Sequence, residues 1–103
     1  MTFRLQPDPT FWTTVDIPVP GGAAMPLEVE FRHKRRDDAM KFADSLSSRP
    51  PLESLQDVVA GWRGADVEFS AAALAELDAN YLGAAERILV VYLEELRGAR
   101  RKN

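Results

Sequence analysis

From Trp12 to Val19 the apolar positions Val15, Ile17 and Val19 alternate with Thr14, Asp16 and Pro18, and from Leu27 to Lys34 Leu27, Val29 and Phe31 alternate with charged residues. A period of two sends successive side chains to opposite faces, so each run predicts a strand with one apolar face. Pro20-Gly21-Gly22-Ala23-Ala24 supplies a turn between them, and the prolines of the first run favour an edge position. The pair reads as a β-hairpin over 12–34, preceded by an extended lead-in over 1–11 that carries Pro7 and Pro9. A lone hairpin is marginally stable, so its apolar face must be covered by the remainder of the chain.

The period changes to that of a helix after Arg35. Ala39, Phe42, Ala43 and Leu46 recur on one face, with Asp37 and Asp38 in the first turn where negative charge suits the helix dipole. Ser47-Ser48-Arg49-Pro50-Pro51 breaks that run. Leu52, Leu55, Val59 and Trp62 predict a second helix ending at Gly61 to Gly64. A third begins after Ser70, a good N-cap, with Leu74, Leu77 and Tyr81 on one side. The strongest is the fourth, where Ala85, Ile88, Leu89, Tyr92, Leu93 and Leu96 form a continuous stripe over a length of about 21 Å. Val90 and Val91 widen this stripe beyond what one small core requires, and so suggest a second contact surface. Gly98 is a natural stop, followed by a basic tail over 98–103. The expectation is one α+β domain over 1–103, with the N-terminal antiparallel hairpin packed against about four helices across 36–97.

The chain is organised around Gly61-Trp62-Arg63-Gly64-Ala65-Asp66-Val67-Glu68-Phe69-Ser70, which reads as a compact turn pinned by two buried rings. It contains no reactive group and acts as a structural clasp. Phe69, just before the cap, is placed to staple onto Ala73 or Leu74.

Composition narrows the chemistry. The chain has 103 residues, 46% hydrophobic and 28% charged, which suits a single small globular core. Its net charge of −3 argues against general affinity for nucleic acid or an anionic membrane. With no cysteine there is neither a disulfide framework nor a thiolate metal site. The N-terminal residues lack an apolar signal region, and no run approaches the roughly 20 apolar residues of a membrane span, so a cytoplasmic location is expected.

His33, the only histidine, falls on the alternation with Leu27, Val29 and Phe31 and reads as a partly buried structural residue without further metal ligands in pattern. Asp37/Asp38 and Glu94/Glu95 are sequence neighbours that diverge by about 100° on a helix, so neither pair forms an acid/base dyad. The serines lack a histidine and acid arranged around them, and the glycines match no phosphate-cradling loop. The basic clusters His33 to Arg36 and Arg97 to Lys102 could meet phosphate, or an acidic stretch of another copy of the chain. No cofactor is expected.

Several segments together carry a resemblance: Phe31-Arg32-His33-Lys34 after an alternating strand, Gly61-Trp62 followed by Gly64 to Ser70, Asn80-Tyr81-Leu82-Gly83-Ala84-Ala85, and Tyr92 through the closing Ala99-Arg100-Arg101-Lys102-Asn103. In order and separation, over roughly 12–103, the chain resembles the tail assembly chaperones of long-tailed bacteriophages. One departure is Leu82, where a proline would be expected to sharpen the break between the third and fourth helices.

The resemblance implies a non-catalytic protein of the bacterial host cytoplasm that binds the helical, aggregation-prone tape measure protein during tail building and is absent from the mature virion. The tail tube protein, further copies of this chain and a longer frameshifted form of it are the other implied partners. Codons for Arg101-Lys102-Asn103 are compatible with a slippery heptamer. On this reading client contact is sought at Trp62, Tyr81, Ile88, Val91, Tyr92 and Leu96, with Arg100 and Arg101 in the basic tail. Competing readings are another virion assembly or head–tail joining protein, and a small DNA-associated regulator acting through the basic tail.

Overall fold

A computed structural model describes residues 1–98, and these form a three-stranded antiparallel sheet with four helices packed on one face. The hairpin consists of β1 (Thr10–Ile17) and β2 (Met25–Arg32), paired from Thr10 opposite Arg32 to Ile17 opposite Met25. Its turn follows directly from the residues: Gly22 N–H donates to Val19 O at 3.1 Å across Pro20 and Gly21, and Gly21 has φ +74°. Proline at the second position and a positive-φ glycine at the third are what a type II turn requires. β1 begins two residues before the predicted start, bringing Phe11 of the expected lead-in onto the core face beside Phe31.

Val15, Ile17, Leu27, Val29 and Phe31 are buried, as the alternation requires for the covered face. On the other face Arg63 bonds Glu28 at 3.0 Å and lies 4.2 Å from the Trp12 ring centroid. The prediction for His33 fails because β2 ends at Arg32. The next residue lies one pair beyond the strand, its N–H still donating to Pro9 O, and its imidazole is exposed.

Helix α1 spans Arg36–Ser45 and buries Phe42, whereas Ala43 faces solvent. Helix α2, Pro51–Val58, starts with proline at its first position, where the missing N–H costs no helical bond. The predicted second helix does not continue to Trp62. Val59–Arg63 is instead a third strand, β3, paired with β2 from Glu28 opposite Arg63 to Phe31 opposite Val59. The spacing of Leu55, Val59 and Trp62 suits a helix, but the β-branched Val58 and Val59 and then Gly61 are weak helix formers, and the chain leaves the helix at Val59. The register shifts between Glu30 and Phe31, so Ala60 is an extra residue in β3. This bulge changes the strand's phase and turns Trp62 to the side of its partner Val29. Gly61 then lies under Glu30, where a β-carbon would come within 3.2 Å of Oε1.

Helix α3 covers Ala71–Asn80 and α4 covers Ala84–Leu96. The Ser70 hydroxyl caps α3 by accepting from Ala73 N–H at 3.0 Å. The junction of the two helices is sharp without a proline. Tyr81 is extended, Leu82 projects into solvent, and Gly83 lies so close to Pro18 that a β-carbon would sit 3.3 Å from its ring. Helix α4 packs against β1 and α2 and also meets α3. Neighbours on several sides explain why Ala84, Ala85, Ile88, Leu89, Val91 and Tyr92 are all buried, and why Val90 alone among the wide-stripe residues is exposed.

Candidate functional site

Two aromatic centres organise the domain, and only one is open. In the closed centre, the Tyr92 ring lies 6.1 Å from Phe11, 5.1 Å from Phe31 and 5.6 Å from Phe42. Its hydroxyl donates to Arg32 O at 2.8 Å, joining α4 to the end of β2. Burial, aided by the negative charge of Asp57, pushes the phenol well above its ordinary range and keeps it protonated.

Asp57 accepts from Lys34 at 3.1 Å and Arg49 at 2.8 Å, and both cations lie against the Phe42 ring. Burial opposes ionisation of Asp57, but the two charged donors outweigh it and hold the carboxyl below the usual aspartate range. Arg32 Nη1 reaches the carbonyls of Gln56, Asp57 and Val59, neutralising the C-terminal end of α2. This chemistry fastens elements together. Each charge has an opposite partner or a carbonyl.

The open centre is the clasp. Trp62 and Phe69 meet edge to face, with centroids 5.2 Å apart and planes at 84°. The Trp62 indole N–H donates to Val67 O at 2.9 Å, which closes the turn that begins at Gly64, φ +93°. Both rings are half-buried rather than buried, because the loop folds back over one side of them only. Beside the clasp lies a groove of about 630 Å³. Its walls are the turn end of the hairpin (Ile17, Leu27), the loop at Val67, Leu77 of α3 and Tyr81 just beyond that helix. Among the described residues its charged lining side chains are Asp66 and Glu76, both acidic. An apolar concavity with a few polar groups at its margin is suited to receiving an apolar segment flanked by positive charge.

Of the residues singled out from the sequence, Trp62 and Tyr81 come together in this groove. Ile88, Val91 and Tyr92 do not: they are 1%, 4% and 0% exposed and belong to the core, so no partner can reach them while α4 stays packed. Leu96 is half-buried and packs against the same core. Arg100 and Arg101 lie outside the described residues. The sequence reading missed Met25 and Val67, both more than half exposed at the groove. Val67 carried a usable signal, since it is an apolar residue between Asp66 and Glu68 in a glycine-led turn. Among the described residues no group of three His, Asp or Glu side chains could hold a metal ion, and no helix is long and apolar enough to cross a membrane.

No curated protein and no solved structure gave a significant match to the chain. The model of one protein family, described as phage tail assembly chaperone, matches residues 1–103. Because that match runs the whole length, through the hairpin, the clasp and the four helices alike, the chain belongs to the phage tail assembly chaperone family.

Proposed function

We propose that this protein works without catalysis in the bacterial host cytoplasm, binding the tape measure protein and keeping it soluble while the tail is built. The observation that carries the reading is the open groove beside Trp62 and Tyr81 in a member of an assembly-chaperone family. A long helical client exposes apolar faces before it is packaged, and a concave apolar surface covers such a face at the cost of little rearrangement. The acids Asp66 and Glu76 favour a client turn whose apolar residues are flanked by lysine or arginine. Client contact is accordingly assigned to Trp62, Tyr81, Val67 and Leu77, and not to the buried side of α4.

The test is co-expression with the long helical protein encoded in the same gene cluster, scoring its soluble fraction and co-purification. Val67→Lys adds bulk and positive charge to the groove; Leu82→Lys changes an even more exposed apolar residue outside its lining. Loss of soluble partner with the first variant and not the second is the expected result. A partner that stays insoluble with the unaltered protein would sink the chaperone reading, and equal rescue by both variants would sink the groove assignment.

A further inference from the structure

The segment ahead of β1 has an unusual surface. Met1, Phe3 and Leu5 are 129%, 87% and 88% exposed, and they alternate with Thr2 and Arg4. In extended backbone these three side chains share one side, with neighbours about 7 Å apart. Large apolar groups left this bare in a regular pattern are a docking element without its receptor. Arg4 pairs with Asp8, yet both side chains are more than two-thirds exposed, so this contact holds Arg4 only weakly.

We infer that this arm, Met1 to Leu5, docks in the groove beside Trp62 of a second copy of the chain. The groove offers what the arm lacks: an apolar lining and, at Asp66 and Glu76, two acids with no basic residue among the described lining side chains to offset them. Arg4 is the complementary charge. The arm's own groove is poorly placed to receive it, because the arm leaves the sheet at Thr10 and the groove lies at the other end of the same strand, by Ile17. That strand is about 23 Å long. Phe3 stands seven residues before Thr10, which reach at most about 25 Å when fully extended. Docking in cis would therefore need the arm to double back and run straight along the entire sheet, through Pro7 and Pro9, whereas a neighbouring copy imposes no such path. Reciprocal exchange closes a dimer and one-way exchange builds a chain of copies; the same contact makes both.

The contact concerns the protein without its client, so its test contains none and does not depend on what the client is. Association of the full chain is followed by sedimentation velocity across a concentration series, beside the Phe3→Asp/Leu5→Asp variant. Because both residues are exposed, the variant keeps its circular dichroism spectrum, while its association midpoint moves to at least about tenfold higher concentration. The natural absence of cysteine allows a second measurement. Phe3→Cys and Val67→Cys chains, mixed and oxidised, are expected to form the mixed disulfide in preference to either like pair. The inference is overturned by a chain that stays monomeric throughout, by association that ignores the arm substitutions, or by a mixed disulfide that forms no more readily than either like pair.

Discussion

The Tyr92 centre and the Trp62 centre are built from the same materials, aromatic rings held by one hydrogen bond from a ring donor to a backbone carbonyl, and they differ in how many elements enclose them. Tyr92 is surrounded by rings from β1, β2 and α1 and is wholly buried. Trp62 has one ring partner, Phe69, and a short loop. The first arrangement spends its aromatic surface on stability. The second leaves part of it available to another molecule, and the comparison shows that aromatic content does not mark a binding site unless the enclosure is incomplete.

Tyr92→Ala tests the closed side most severely. It removes a fully buried ring from three aromatic neighbours, and a loss of about 4 kcal/mol in denaturant unfolding is expected. Trp62→Ala should cost clearly less, since that ring already meets solvent; equal losses would erase the contrast. Asp57→Ala, which strands Lys34 and Arg49 against Phe42, is expected to cost about 2 kcal/mol near neutral pH.

The same carboxylate gives a pH signature. Its folded-state pKa is depressed, so its contribution is complete above the ordinary value of 3.8 and is lost as pH falls through and below that value. Asp57→Asn should flatten this acid limb of the stability curve, and an unchanged limb would show that the carboxylate contributes little to it. Ser70→Ala removes the hydroxyl that caps α3 beside the groove, with an expected cost of about 1 kcal/mol. Val67→Lys should have the smallest effect on unfolding, within about 0.5 kcal/mol, because its side chain is exposed and its bond to Trp62 uses the backbone. A large loss would mean that Val67 supports the fold after all.

The hairpin was legible because alternation reports a face directly, and the Ser70 cap because a hydroxyl before an alanine-rich run has one obvious use. β3 was not, since five residues are too few for period to separate strand from helix and the bulge at Ala60 disturbs the alternation itself. The site was half legible. Trp62 and Tyr81 emerged from their places in the clasp and at the end of α3, but periodicity on α4 cannot say how many neighbours that helix has. With β1, α2 and α3 around it, residues that looked like surplus apolar surface became core.

The single extra residue in β3 also carries a lesson about length. Pairing β3 without the bulge, Ala60 opposite Glu30 and Gly61 opposite Val29, would put Trp62 opposite Glu28 on the outer face and take its indole away from Val67, whereas removing Ala60 keeps Gly61 opposite Glu30 and Trp62 opposite Val29. The groove therefore depends on the phase of the strand at Trp62, which the bulge sets and the loss of Ala60 preserves. Among related chains, insertions and deletions should collect in the exposed turn after Val19, and between Val58 and Trp62 the loss of Ala60 should be the one deletion that is tolerated.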